Sequence, residues 1–487
     1  MGDELKNKMV KALTWTSIDR FGQQLAQLII GIVLARLLTP NDYGLIGVLM
    51  IFISLSTVLI DGGFGQALIR KQDANATDYS TIFYLNLLIS VLLYLILFFA
   101  APFIAKFFKH PELVLISRVL FLTIIFYAIY FIQYVVLNKN LNFKVLALIN
   151  IISVSISGFL GIILAFLGYG VWALVWQQIS SQFIRALLYP FLVHWKPIRN
   201  FSNQVIKDFW SFSIHMLGTS SLNVIFNNLY TILLGRFYPF REVGFYTQAN
   251  KLSDTVDAAT QQILMKGTYP LLVQIQHDTE RLIRVYRRLT QSISLLIFPL
   301  IAVLIAIAKP FILVLITDKW LSSVSLFQLL LLANFFGPLY VLNVSVLNAR
   351  GESKLTFRME LIKKSLILIS VVLCFQFGIK IMLAGYVLAS FAAYSLSMIY
   401  IKSKINHYLK HQIVDILPQF FMGFILGVMA YFIGFLPLSN ISMVVIQVIE
   451  TLIIYIVLVR FFFAESFFQA KNFILQMVSP LLKFKRN

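Results

Sequence analysis

Apolar runs of about twenty residues follow one another along the whole chain, separated by short connections that hold most of the charge. Runs of that length cross the hydrocarbon core of a bilayer as α-helices, whereas barrel strands would alternate polar and apolar positions with period two. The pattern predicts about fourteen spans, near 13–38, 44–66, 81–104, 114–136, 145–167, 172–192, 210–235, 244–267, 291–315, 323–347, 360–378, 380–401, 416–435 and 442–463. The first run, led by Lys6, Lys8 and Lys11, is too long for a signal-peptide core and reads as a retained helix. The predicted fold class is an all-α polytopic membrane protein.

Composition agrees: of 487 residues, 59% are hydrophobic and 12% charged, where a soluble domain carries roughly 25% charged residues. The net charge of +20 does not indicate nucleic acid, because the basic residues sit in short connections and not on the face of a water-soluble module. Their distribution predicts topology instead. Arg70, Lys71, Lys139, Lys144, Lys196, Arg199 and Lys207 mark one side of the membrane. Arg281, Arg284, Arg287, Arg288, Arg350, Lys354, Arg358, Lys402, Lys404, Lys410, Lys483, Lys485 and Arg486 continue the same side. The positive-inside rule makes that side cytoplasmic and puts both termini there.

Searching for self-similarity finds one long repeat. Leu34-Ala35-Arg36-Leu37 is answered by Leu234-Gly235-Arg236-Phe237, and Asp42, Gly44 and Leu45 by Glu242, Gly244 and Phe245. Further on, Pro102-Phe103-Ile104 is answered by Pro310-Phe311-Ile312, Leu137-Asn138 by Leu347-Asn348, and Gly170-Val171 by Gly385-Tyr386. The offset grows slowly and in chain order, as unequal loops require. Six helices is an even number, so the two copies enter the membrane the same way round, as two six-helix lobes in parallel pseudo-two-fold repeat. The reading divides the chain into an N-terminal lobe (1–193), a cytoplasmic inter-lobe linker (194–209), a C-terminal lobe (210–402), and accessory helices thirteen and fourteen with a basic tail (403–487).

Polar side chains are costly in a span and belong against protein or a water-filled cavity. Arg20, Gln24 and Gln27 with Ser17 share one face of the first span, with Asp19 and Gln23 at its margins. Arg118 opens the fourth, ahead of Tyr127, Tyr130 and Tyr134; Gln178, Gln182 and Arg185 stripe the sixth. Ser220, Asn223 and Asn227 follow in the seventh, and Asn250, Lys251, Asp254, Asp257 and Gln261 in the eighth. The functional reading is a wet cavity whose cationic groups are Arg20, Arg118, Arg185 and Lys251, with arginine suited to phosphate through its planar fork. The alternative is internal pairing: Arg20 with Asp19 or Asp61, Lys251 with Asp254. Asp61, Asp254 and Asp257 are candidates for coupling to Na⁺ or H⁺. Arg281, Arg284 and Arg288, at helical spacing, sit in the longest connection, about 269–290, read as a headgroup-facing turn. Gly62, Gly63, Pro299, Gly337 and Pro338 read as bends or close packing.

Chemistry is excluded more easily than found. There is no phosphate-binding glycine loop, the six histidines are scattered along the chain so that no metal site is expected, and the single Cys374 rules out an internal disulfide. His215 reads as a hydrogen-bonded interior residue. No catalytic residue, metal or cofactor is expected.

Leu34-Ala35-Arg36-Leu37-Leu38-Thr39-Pro40-Asn41-Asp42-Tyr43-Gly44 resembles the first periplasmic turn of bacterial polysaccharide exporters. Asp61-Gly62-Gly63-Phe64-Gly65-Gln66-Ala67-Leu68-Ile69-Arg70 resembles the close of their second span, and Gly244-Phe245-Tyr246 with Ala249-Asn250-Lys251-Leu252 the opening of their eighth. Lys319-Trp320 and Gly351-Glu352 match weaker positions. In order and spacing the likeness covers nearly the whole chain. It points to the oligosaccharide-lipid flippases of the multidrug/oligosaccharidyl-lipid/polysaccharide exporter superfamily, in the O-antigen and colanic-acid branch. The resemblance implies two lobes facing each other in a V, in a bacterial cytoplasmic (inner) membrane. It also implies an undecaprenyl-pyrophosphate-linked oligosaccharide as substrate, delivered to the outer leaflet for O-antigen, capsule or exopolysaccharide synthesis. Expected partners are that lipid, membrane lipids, a polysaccharide polymerase and glycosyltransferases, with the chain a monomer. The alternatives are a peptidoglycan-precursor (lipid II) flippase, a cation-coupled multidrug exporter of the same superfamily and, as an enzyme, a membrane polymerase or ligase. That last class generally needs a large external loop, and each predicted external connection is short.

Overall fold

The computed structural model describes the backbone of residues 2–462 and, apart from residues 2–13, 258–267 and 270, their side chains. Among the described residues the structure is helical, without strands. The first helices are α1 (Gly2–Leu37), α2 (Pro40–Asp61), α3 (Phe64–Arg70), α4 (Ala76–Phe108), α5 (Leu113–Leu120), α6 (Leu122–Lys139), α7 (Phe143–Phe166), α8 (Val171–Leu192), α9 (Asn203–Asn227) and α10 (Leu229–Phe237). They continue with α11 (Phe240–Gln274), α12 (Thr279–Ile316), α13 (Ser323–Ala333), α14 (Gly337–Ala349), α15 (Ser353–Cys374), α16 (Ile379–Ile405), α17 (Leu409–Ile433) and α18 (Asn440–Phe462).

Each predicted span falls on one helix or on a broken pair, the pairs being α2–α3, α5–α6, α9–α10 and α13–α14. Nine such segments among the described residues are long and apolar enough to cross a membrane. The five left over, α1, α8, α9–α10, α11 and α15, include every helix in which the sequence showed a polar stripe, apart from the fourth span with its single Arg118. On α8, for example, Gln177, Gln178, Ser180, Ser181, Gln182 and Arg185 dilute an otherwise apolar helix. The expected connection at 269–290 is almost wholly helical: α11 runs to Gln274 and α12 starts at Thr279, so Arg281, Arg284 and Arg288 stand exposed on a regular helix. At about 1.5 Å per residue the 38 residues of α12 exceed the roughly 20 a bilayer needs. The tail residues Lys483, Lys485 and Arg486 lie outside the described residues.

Local chemistry sets the breaks. Pro40 enters α2 behind a reciprocal capping box between Thr39 and Asp42, and Asn75 with Asp78 does the same for α4. The α2–α3 break is made by Gly62 and Gly63, with φ of 53° and 78°, a left-handed conformation that costs glycine little.

Contacts group the chain into two compact units, residues 1–244 and 245–487. In the first, α1 packs on α7, α7 on α8, α8 on α6, and α9 on α2. The segment between α8 and α9 is strapped to the start of α4. The backbone N–H groups of Ile198 and Ser202 donate to the buried hydroxyls of Ser80 (3.0 Å) and Thr81 (3.1 Å), and Trp195 packs edge-on against Tyr79 and Phe83. Contact thus places α9 and α10 with the first unit, while the repeat counts them as the opening of the second copy.

In the second unit the most extensive pairing is α12 with α17. Gly423 and Gly427, one turn apart, let the helices meet at the backbone: a Cβ on Gly423 would lie 2.9 Å from the Phe298 carbonyl carbon, and one on Gly427 3.2 Å from Ala302. Small residues at this spacing are how membrane helices gain close van der Waals contact. Helix α18 adds Val459 to a small core with Leu295, Met422 and Leu426.

Candidate functional site

The first unit positions most of the sequence-predicted polar residues on three helices. On α1, Asp19 is buried and accepts from Gln23 Nε2 at 2.7 Å and from Asn150 Nδ2 of α7 at 3.2 Å. It is therefore a tie between α1 and α7, not a marginal residue. Arg20, Gln24 and Gln27 are exposed on α1. Asp61 closes α2 and caps α3, its Oδ1 accepting the Gly65 N–H at 3.1 Å. Both acids that the sequence offered to Arg20 are thus held by neutral donors. Replacing Asn150 by leucine leaves the Asp19 carboxylate one donor short, and we expect a loss of about 2 kcal/mol, read as reduced thermal stability in detergent.

Arg118 lies half-buried on α5 against α4: its Nε donates to the Phe98 carbonyl at 3.3 Å and its guanidinium sits 4.3 Å from the Phe98 ring centre. A ring face and a carbonyl take the place of the acid missing from the nearby sequence.

Arg185 and Gln182 on α8 meet the tyrosines of α6. Tyr130 donates to Gln182 Oε1 at 2.8 Å and stacks on Tyr189 with ring centres 4.9 Å apart; Tyr127 packs 5.6 Å from Tyr130. The Arg185 side chain lies beside Tyr130, and its Nε is buried and without a hydrogen-bond partner. Gln178 is half-buried one turn earlier. On α9, Asn223 and Asn227 are exposed. His215, expected in the interior, is also exposed; its Nδ1 is bonded to the Ser211 carbonyl one turn back at 2.6 Å, a bond that a helix surface supplies as easily as a core.

In the second unit, Asn250 Nδ2 donates to Asp254 at 2.8 Å, and among the described residues Lys251 forms no ion pair with that acid. Asp257 faces the start of α14, its Oδ1 3.8 Å from where a Cβ on Gly337 would stand. Tyr386 on α16 lies close enough to feel both Asp254 and Asp257 electrostatically and hydrogen-bonds Ser390. The Gln261 side chain lies outside those described.

Two polar groups escaped the sequence reading. Asp415, buried on α17, accepts from Arg287 Nη2 (2.9 Å) and Nε (3.0 Å), Gln291 (3.2 Å) and His407 Nε2 (2.9 Å). Next to it Tyr286 donates to Asn343 (2.8 Å), whose amide donates to Ser397 (2.7 Å). On α15, the Lys363 ammonium stands 4.4 Å from the Tyr340 ring centre while the Tyr340 hydroxyl donates to Glu360 at 2.9 Å. The available signal was the charge itself: Glu360, Lys363 and Lys364 inside a predicted span, and Asp415 at the edge of another.

Residues 33–325 match the family described as polysaccharide biosynthesis protein. The chain belongs to that family. Among curated relatives of this chain, the teichuronic acid biosynthesis protein TuaB of Bacillus subtilis is 27% identical over 72% of the chain and 74% of its own length. The lipopolysaccharide biosynthesis protein WzxC of Escherichia coli is 22% identical over 76% of the chain and 75% of its own. Among solved structures, the lipid II flippase MurJ in an inward closed conformation superposes with a TM-score of 0.70, covering 91% of this chain and 98% of that one at 16% identity. An inward-facing multidrug resistance MATE transporter reaches 0.57 over 81% and 99%, also at 16%. The fold of this chain is thus the one found in those two membrane transporters.

Proposed function

We propose that the protein is a flippase that carries undecaprenyl-pyrophosphate-linked oligosaccharide units from the cytoplasmic to the outer leaflet, for O-antigen, capsule or exopolysaccharide assembly. The observation that carries the reading is the chemistry of the polar helices in a polysaccharide biosynthesis family member. Arg20 and Arg185 belong to helices too polar to face lipid, and neither forms an ion pair among the described residues. Guanidinium groups without a carboxylate partner suit pyrophosphate oxygens, and neighbouring amides and tyrosines suit sugar hydroxyls.

In this mechanism both termini are cytoplasmic. Arg20 and Arg185 capture the headgroup from the inner leaflet, and Arg118 and Lys251 receive it after the two lobes rock, with Gln24, Gln27, Gln178, Gln182, Asn223, Asn227, Asn250 and Gln261 as polar lining. The polyprenyl tail stays in lipid. An inside-negative potential of about 100 mV favours moving two negative charges outward by roughly 4–5 kcal/mol. Cation coupling is a second element: Asp254, Asp257 and Tyr386 form a titratable group in the second unit, and Asp61 a separate one in the first.

The test is reconstitution into vesicles with a fluorescent lipid-linked oligosaccharide and a membrane-impermeant quencher. Vesicles with protein should lose more fluorescence than protein-free ones; equal quenching overturns the proposal. A deletion strain should accumulate lipid-linked units on the inner leaflet without change in drug susceptibility. Altered susceptibility with normal polysaccharide would instead indicate a drug exporter.

A further inference from the structure

Helix α18 carries a carboxyl group at the depth where a membrane helix tolerates one least. Glu450 is the eleventh of its 23 residues, so at about 1.5 Å per residue it lies near the middle of a hydrocarbon core of about 30 Å. A carboxyl on two methylenes reaches neither interface, unlike the long stems of lysine and arginine. An acid at that depth ordinarily faces protein, a wet cavity or an opposite charge. Helix α18 packs on α12 and α17 and is the least buried of the nine apolar segments described above. Glu450 is half-buried on it and shares one stripe with Ile446, Ile453 and Val457, one turn before and one and two turns after. All three of those neighbours are exposed.

The donors around that carboxyl are already spent. Gln447 gives its Nε2 to the Ala430 carbonyl of α17 at 2.7 Å, and its Oε1 is buried without a hydrogen-bond partner. The Thr451 hydroxyl donates to the Gln447 carbonyl at 2.6 Å and reaches Glu450 Oε2 only at 3.5 Å, the far limit of a hydrogen bond. Among the described residues that long contact is the one hydrogen bond the carboxyl makes, and it forms no ion pair. The unpartnered Tyr455 hydroxyl is no help, since Tyr455 lines the groove that α18 forms with α11 and α12, on the other side of the helix. Acceptors are therefore in excess beside Glu450, and whatever satisfies it comes from outside the helix and brings N–H groups and positive charge. Lipid tails bring neither. A second copy docked by two-fold symmetry would present the same stripe, and with it a second carboxyl.

We propose that the stripe of Ile446, Glu450, Ile453 and Val457 is a docking surface for a transmembrane helix of another protein, one that carries a lysine or arginine at the same depth. Each charge is costly alone in hydrocarbon and is answered by the other when the helices meet. The flanking isoleucines and valine are stiff at χ1, so they lose little freedom as a partner packs on them. No substrate enters the test, which stands apart from what the protein carries. The full chain, in a Cys374→Ala background with a donor dye on Leu438→Cys, is reconstituted into phosphatidylcholine vesicles. The probes are acceptor-labelled leucine-alanine host helices with either lysine or leucine at the centre. Energy transfer should show the lysine helix binding with about tenfold higher apparent affinity than the leucine helix, the scale of a polar contact between membrane helices. Glu450→Leu should erase that preference while unfolding at or above the wild-type temperature in detergent, because it removes a charge from apolar surroundings. Should that variant misfold, Glu450→Gln, which keeps the shape and drops the charge, should weaken the preference in the same direction. Equal binding of the two helices, or a preference that survives both substitutions, overturns the proposal. Energy transfer between donor- and acceptor-labelled copies of the protein that Glu450→Leu abolishes overturns it too, and assigns the stripe to a second copy.

Discussion

Asp415→Ala should lower the stability of the protein by about 3 kcal/mol, read as an earlier thermal unfolding in detergent and release of α17 to proteolysis. The wild-type carboxylate is nearly inaccessible (side chain 1% exposed) and gathers Arg287, Gln291 and His407 from two elements. Removing it leaves a guanidinium and an imidazole facing each other without the anion they share. The loss falls at the lower end of the roughly 3–5 kcal/mol for breaking a buried pair, because the Arg287 side chain is 49% exposed and water can take over part of its solvation. Removing both charges together, as Arg287→Met with Asp415→Leu, should restore most of the stability, since paired desolvation costs offset much of a buried ion pair's gain. If the single variant unfolds like the wild type, Asp415 does not hold α17 in place.

If the proposed transport holds, Arg185→Lys should reduce it by about tenfold to a hundredfold, and Arg185→Ala by at least as much, in the same vesicle assay. Lysine keeps the charge but offers a point where arginine offers a fork. At α8 the guanidinium lies beside Tyr130, and in the proposed mechanism its fork also captures phosphate oxygens. A lost charge-assisted hydrogen bond of about 1.5–3 kcal/mol corresponds to that range of rate when the bond tightens on the way to the transition state. Adding Arg20→Ala to Arg185→Ala should deepen the loss. Unchanged transport in the double variant would remove both residues from the mechanism.

The spans were legible because twenty consecutive apolar residues admit few other fates, and even the breaks had local signals in Gly62-Gly63 and Gly337-Pro338. The candidate site was legible only as residue types. That Gln182 and Arg185 lie in polar stripes follows from periodicity, but their meeting with Tyr130 and Tyr189 depends on how α6 packs on α8, which no linear spacing encodes. Neighbours in sequence misled for the same reason: Asp19 beside Arg20 bonds Asn150, which is 131 positions away, and Asp254 takes Asn250 one turn back in preference to Lys251. Arg287 was read as a topology charge, and only the fold brings Asp415, 128 residues on, to its side. The closing helices looked like additions because the repeat had no place for them. Close packing through Gly423 and Gly427 is a property of a pair of helices, and a pattern read along one chain does not show it.

The same polar stripes bear on how the chain enters the membrane in the first place. Side chains such as Arg185 or Asp254 carry insertion penalties of roughly 2.5–3.5 kcal/mol each near the centre of a helix, so α8, α11 and α15 are poor candidates to leave the translocon alone. Each has a strongly apolar neighbour in the chain: α7 before α8, α12 after α11, α16 after α15. Those neighbours can hold the weaker helix at the lipid boundary until its polar face finds protein, so biogenesis should proceed by hairpins and not by single helices. A substitution that makes α7 or α12 less apolar should then show up first as a topology defect in the helix beside it, before any change in the transport rate of the molecules that do assemble.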